Sequence, residues 1–154
     1  MALKIVAIGE LTGWCELAFK DYQKRIRPPF TLECFQIPVS KRKEKTPQKA
    51  VQEEAQKLLR HTQVRDFVFA LDPNGQTISS VQFSQKINDL QNHWSNIVFL
   101  IGGPDGFDSS IYNRANALLS LSSFIFPHTL ARLMLIEQLY RAYTLASNHP
   151  YHRA

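Results

Sequence analysis

Five short apolar runs, each followed by a stretch with helical spacing, constrain this chain more than any other feature. They are residues 3–9 (LKIVAIG), 30–37 (FTLECFQI), 66–71 (DFVFAL), 96–101 (NIVFLI) and 119–126 (LSLSSFIF), rich in the β-branched and aromatic residues that favour strands. Between the first two, Leu17, Ala18, Tyr22 and Ile26 fall on one helical face, and Pro28-Pro29 ends that helix. Thr46 followed by Pro47 marks a helix start running to about residue 60. DPNG closes the third strand, and Ser79 or Ser80 caps a helix to about residue 91. Asp108-Ser109 opens a short helix to about residue 118, and a long helix spans 127–147. Such alternation predicts an α/β fold, a mostly parallel sheet with helices on both faces. Ligands of such sheets bind beyond the carboxyl ends of the strands.

The 154 residues suit a single domain, 1–154, with 44% hydrophobic and 20% charged residues. No apolar run approaches a membrane span of roughly 20 residues, and the amino terminus lacks the pattern of a signal peptide. Cys15 and Cys34 form neither a CxxC pair nor part of a metal-ligand cluster. Neither a disulfide framework nor a metal site is expected, and a reducing cytoplasm is the simplest location. Eighteen Lys and Arg outnumber thirteen acids, for a net charge of +5. Eight of the eighteen lie in two clusters, KDYQKRIRPP (20–29) and SKRKEK (40–45). These are either solvated faces or a surface for a phosphate backbone, and charge alone does not decide between them.

The last helix carries too many apolar residues for one stripe: Leu130, Leu133, Met134, Leu135, Ile136, Leu139, Tyr140, Tyr143 and Leu145. A helix apolar on most sides is buried on most sides. One side can lie on the sheet, and the other is expected to meet a second copy in a homodimer. Arg141 stands four residues after Glu137, at ion-pairing distance on a helix, whereas Arg132 is off that register. A structural ion pair at a dimer seam and an RNA contact are both open for these arginines.

The fourth strand runs into IGGPDG (101–106). This turn is not a P-loop, because no GxxxxGK[ST] is present, and it is not a GxGxxG dinucleotide fingerprint. Taken alone it is a tight strand-to-helix turn. Twenty residues on, the chain reads FIFPHTLARLMLIEQLYRAYTLASNHPYHR. With VAIG at the start and LD ahead of a turn, this combination closely resembles the RlmH family. Those are small SPOUT-class methyltransferases of N3 of a pseudouridine in large-subunit (23S) ribosomal RNA. The resemblance covers essentially the whole chain. One departure is Asp105, where relatives often have Glu.

The resemblance implies a SPOUT-type α/β knot with a C-terminal trefoil knot that cradles S-adenosylmethionine, and a homodimer with its active sites at the interface. It also implies action on the assembled ribosome without a separate RNA-binding domain. Residue by residue, it places the cofactor against Leu71, Gly102, Gly103, and the segment Leu121, Ser122, Ser123, Phe124, Ile125 and Phe126. Leu121, Phe124 and Phe126 suit an apolar adenine slot, though a plain strand core explains the two phenylalanines equally well. Gly102 and Gly103 allow close approach of the chain to a ligand.

N3 of pseudouridine must lose a proton before or during methyl transfer. His128, directly after the cofactor segment, and His149 and His152 in the tail have a suitable pKa range for a base. Tyr140 and Arg153 match positions associated with activity in the family. Tyr151 can stack on a base, and Arg153 can bind phosphate or steady an anion. Lys20, Lys24, Arg25, Arg27, Lys41, Arg42 and Lys43 are the expected ribosomal phosphate contacts. Two alternatives stand beside this reading: a SPOUT methyltransferase acting on another RNA, and a non-catalytic ribosome-binding protein.

Overall fold

The computed structural model describes residues 2–153, the Arg153 side chain excepted. The elements run β1 (Ala2–Ile8), α1 (Gly13–Arg25), β2 (Thr31–Ile37), α2 (Pro47–Leu59), β3 (Asp66–Thr77), α3 (Ser80–Gln91), β4 (Asn96–Ile101), α4 (Ser109–Arg114), β5 (Ala117–Ser120) and α5 (His128–Ala146), with a 3-10 turn at Pro150–Arg153. The five strands form one sheet in the order β2-β1-β4-β3-β5, and every pairing is parallel.

Alternate strand residues feed two separate cores. Leu3, Ile5, Phe67, Phe69, Ile97 and Phe99 pack with α1, α3 and α5 on one face. Val6, Ile8, Val68, Ala70, Val98 and Leu100 pack with α2 and α4 on the other. Central parallel strands covered on both faces read as unbroken apolar runs, as NIVFLI does. The predicted caps are present. Thr46 accepts from the Lys49 amide, and Ser79 and Gln82 form a capping box.

Four details differ from the sequence expectations. In α1, Leu17 is exposed (73%), and Cys15 and Phe19 are buried in its place. Cys15, Phe19, Tyr22 and Ile26 follow the 4-3-4 spacing of a buried stripe, and Leu17 lies off it. β3 does not stop at DPNG. Leu71 and Gln76 both pair with Leu119, so residues 72–75 bulge out and the strand resumes to Thr77. Gly75 makes this possible, since a Cβ there would lie 2.7 Å from the Leu118 backbone.

The fifth strand lies earlier than expected, and the short helix before it ends at Arg114. The Arg114 guanidinium donates to Gln63 O and Asp66 O, and Asn116 pairs through main chain and side chain with Val68. β3 pairs last with Ser120, so 121–126 has no strand to join and leaves the sheet. Helix α5 packs against both α1 and α3. Leu133, Leu135, Ile136, Leu139, Tyr140 and Ala142 are all buried within the one chain. Leu130, Tyr143 and Leu145 are half-buried and Met134 is exposed, so the one chain covers most but not all of the apolar surface of α5.

Candidate functional site

A cleft of about 400 Å³ opens at the carboxyl ends of β3, β4 and β5, a size typical of small-ligand sites. Its walls are the β3 bulge (Leu71, Asp72, Pro73), the glycine turn from Ile101 to Phe107, and the segment after β5. Leu71, Gly102, Gly103, Leu121, Ser122, Phe124, Ile125, Phe126 and His128 all line it; Ser123 does not. Phe124 and Ile125 are 80% and 82% exposed, so the strand-core explanation for Phe124 is ruled out. Ser120 Oγ donates to Ser122 O, and the Phe124 amide donates to Ser122 Oγ, at 2.9 and 3.0 Å. These bonds fold the segment back and leave two large apolar side chains uncovered at the cleft.

The glycines of the turn serve the protein's own packing. A Cβ on Gly103 would lie 2.9 Å from Ile8 Cγ2, and one on Gly102 would press on the Phe107 ring and Gly106 O. Gly106 alone has a positive φ, +77°, and its amide donates back to Gly103 O. Close approach is thus required toward Ile8 and Phe107, and Gly102 and Gly103 also line the cleft.

Asp72, on the cleft wall, and Tyr112, bonded to it from α4, were not singled out from the sequence. Asp72 Oδ1 accepts from the Asn74 amide, and Asp72 Oδ2 accepts from the Tyr112 hydroxyl. The carboxylate pushes the Tyr112 hydroxyl up to about 12, with partial burial adding to the shift. Tyr112 also meets the Phe107 ring edge-on, so α4 ties the bulge to the glycine turn. Only the acid following Leu71 hinted at this.

His128 begins α5 and lines the cleft. One turn on, Arg132 is 2% exposed and donates to Ile8 O, Gly9 O and Gln36 Oε1, each at 3.1 Å. Arg132 is thus a strut at the end of β1, neither an ion pair at a seam nor an RNA contact. Arg141 does pair with Glu137, at 2.7 Å.

The remaining expected catalytic residues stand elsewhere. Tyr140 is 5% exposed, packed against Tyr22 and Tyr151 at 5.7 and 4.6 Å between centroids. The Tyr151 hydroxyl reaches Glu137 Oε1 and the Tyr22 hydroxyl, both at 3.1 Å. Burial pushes that hydroxyl well above the ordinary tyrosine range, helped by the bond to Tyr22 and the nearby Glu137. His149 Nδ1 accepts from the Tyr151 amide. His152 Nδ1 is buried with no partner among the described residues. The Arg153 side chain lies outside the described residues. At 1.5 Å rise per residue, Glu137, to which Tyr151 is bonded, is roughly 14 Å and Tyr140 roughly 18 Å along α5 from His128. Within one chain, neither Tyr140 nor Tyr151 lines the cleft.

The basic residues divide in the same way. Lys24, Arg25 and Arg27 lie at the tail end, where the Arg25 guanidinium is 5.8 Å from the Tyr22 and Tyr140 rings and pairs with Asp21. Lys20 pairs with Glu16. Lys41, Arg42 and Lys43 follow β2 at the cleft end; Lys41 and Lys43 are exposed, and Arg42 turns inward to Glu54 and Asp105. Among the described residues no group of His, Cys, Asp and Glu could hold a metal ion, and no helix is long and apolar enough to cross a membrane.

Residues 1–152 match a family model described as "Predicted SPOUT methyltransferase". A protein of Francisella philomiragia named "Ribosomal RNA large subunit methyltransferase H" is 37% identical, the match covering 99% of this chain and 100% of that protein. Proteins of the same name from Saccharophagus degradans and Cupriavidus pinatubonensis are each 38% identical, covering 99% and 100% of this chain and all of the relative. A match of this extent, on a parallel sheet with a cleft at its carboxyl edge, shows that the chain belongs to the SPOUT methyltransferase family.

Proposed function

We propose that this chain, acting as a single unit over 1–154, methylates N3 of a pseudouridine in large-subunit ribosomal RNA. S-adenosylmethionine is the donor and the assembled ribosome in the cytoplasm is the substrate. The observation that carries the reading is the cleft itself. Three segments meet at the carboxyl edge, and Phe124 and Ile125 stand uncovered beside main-chain groups of the glycine turn. That donor set, apolar faces with backbone amides and carbonyls, suits an adenosine moiety. The relatives named as rRNA large subunit methyltransferases support the substrate class.

The bound donor supplies an electrophilic methyl group on a sulfonium. The chain's own residues then have three tasks. Phe124, Ile125 and Leu121 cover the ligand and exclude water; the glycine turn and the β3 bulge orient it; and a histidine accepts the N3 proton. His128 is present in the cleft. In this reading His152, Tyr151 and Arg153 serve the cleft of a second copy, supported by Tyr151 being held against Glu137 on α5 and outside the lining of its own cleft. A homodimer that sets one chain's tail end against the other's cleft end joins these halves. It also brings Lys24, Arg25 and Arg27 of one copy toward Lys41 and Lys43 of the other, a continuous basic track for a phosphate backbone. Tyr140, being buried, holds the tail. The reading includes the knotted C-terminal segment that the family resemblance implies.

Two measurements test it. Calorimetry with S-adenosylmethionine should show a saturable site; no heat and no thermal shift would remove the enzymatic reading and favour a non-catalytic ribosome binder. Ribosomes from a strain lacking the gene should accept labelled methyl groups far better than naked 23S rRNA. Equal labelling of both would contradict an assembled-ribosome substrate.

A further inference from the structure

The loop after β2 alternates in the direction of its basic side chains. Lys41 and Lys43 are exposed. Arg42 and Lys45 turn back onto α2, where Lys45 pairs with Glu53 at 2.6 Å. Arg42 makes the larger set. Its Nε donates to Asp105 Oδ2 at 2.9 Å, its two terminal nitrogens reach both oxygens of Glu54 at 3.2 and 3.4 Å, and one of them also donates to Ser40 O.

Glu54 is 2% exposed and also accepts from the Ser40 amide at 2.9 Å. A carboxylate so deeply buried needs a cationic partner, and Arg42 is the one that reaches it. This pair lies directly under the glycine turn: a Cβ on Gly103 would be 3.6 Å from Glu54 Oε1. Asp105, the other end of the bridge, belongs to the turn itself. One guanidinium thus joins three parts, the basic loop, α2 and the cleft wall.

Building on the proposed function, we infer that Arg42 is a positioning residue and not a phosphate contact. It fixes the loop carrying Lys41 and Lys43 to the glycine turn, and so sets the distance between the RNA backbone and the methyl donor. Four of the five guanidinium N–H groups are used, two for a fork on Glu54 and one each for Asp105 and Ser40 O. A lysine has one nitrogen and cannot span them. The inference separates the basic residues of the loop into two classes that net charge would treat alike.

The test compares R42Q, R42K and D105N with K41Q and K43Q in the full-length protein. In hydrogen exchange, R42Q, R42K and D105N should speed exchange at the Gly106 amide, which closes the turn onto Gly103 O, while K41Q and K43Q leave it unchanged. In S-adenosylmethionine calorimetry, R42Q should raise Kd about tenfold, the loss expected for a charge-assisted hydrogen-bond set. In ribosome binding, K41Q and K43Q should each lower the slope of log K against log salt by roughly 0.7–0.9, whereas R42Q leaves the slope intact. R42Q should lower kcat more than it raises the ribosome KM. The inference is overturned if R42Q reduces the salt slope like K43Q, or if it leaves Gly106 exchange at the wild-type rate. The exchange readout does not depend on the proposed activity. Wild-type protein that binds no S-adenosylmethionine would refute the proposed function while the exchange arm still judges Arg42.

Discussion

Tyr151 is hydrogen-bonded to Glu137 at 3.1 Å, and this bond folds the C-terminal tail back onto the middle of α5, where Tyr151 stands outside the lining of the cleft of the same chain. If the tail serves catalysis, it serves the other copy. Deleting residues 150–154 should therefore abolish methyl transfer while leaving S-adenosylmethionine bound. Mixing that truncated chain with a full-length H128A chain should restore activity, because one of the two sites in each mixed dimer then has an intact cleft and an intact tail. A mixture no more active than its components would place both functions within one chain.

Phe124 separates packing from ligand binding. It is 80% exposed, so F124A should change folding stability by no more than about 0.5 kcal/mol. The same change should weaken S-adenosylmethionine binding by about tenfold, the value of burying part of an aromatic side chain against a ligand. Urea denaturation and calorimetry on the same preparation give both numbers. A large stability loss with unchanged affinity would return Phe124 to a structural role.

Gly103 and Gly106 should respond to alanine for different reasons. G103A places a methyl group 2.9 Å from Ile8 Cγ2 and should cost about 1–3 kcal/mol by overpacking. G106A has open space around it but a φ of +77°, so it should cost about 1–2 kcal/mol from backbone strain alone. An I8A background, which removes Cγ2, should lower the further cost of G103A and leave that of G106A unaffected, as thermal denaturation would show. Equal relief of both would mean that the turn adjusts as a whole.

Much of the fold was legible because the elements are locally consistent. NIVFLI is buried on both faces of a parallel sheet and reads as an unbroken run. Thr46-Pro47 and Ser79 announce helix starts through their own side-chain chemistry. The errors arose where partners far along the chain decide. Whether LSSFIF continues a strand depends on where β3 stops pairing, and β3 itself resumes after DPNG only because Gly75 fits against Leu118 and Leu119. Leu17 was misjudged, and the extent to which α1 and α3 cover α5 was not legible, for a related reason, since composition shows how much of a helix is apolar but not which neighbours cover it. The cleft residues were found from motifs. Tyr112 was not, because its bond to Asp72 joins positions forty residues apart.

Tyrosine ionisation offers a check that needs no ligand. Of the five tyrosines, Tyr112 is raised to about 12 by the Asp72 carboxylate, and Tyr151 is raised by burial and its two hydroxyl partners. Raised folded values mean that their stabilisation is fully present below pH 10 and is lost as pH rises through about 12 for Tyr112. In an ultraviolet titration, D72N should move the ionisation of Tyr112 to lower pH, and Y151F should remove one late-ionising tyrosine from the curve. Curves for D72N and Y151F with no loss of late-ionising absorbance relative to the unsubstituted protein would contradict both hydrogen bonds.

The proposed activity, methylation of a ribosomal pseudouridine, leaves its product in the rRNA itself. The most direct measurement is mass spectrometry of large-subunit rRNA from cells with the gene, without it, and without it after ribosomes are incubated with the purified protein and S-adenosylmethionine. The predicted result is a single N3-methylpseudouridine that is present, absent and then restored. A methyl group that persists without the gene, or an unmodified pseudouridine after incubation with protein shown to bind S-adenosylmethionine, would contradict it.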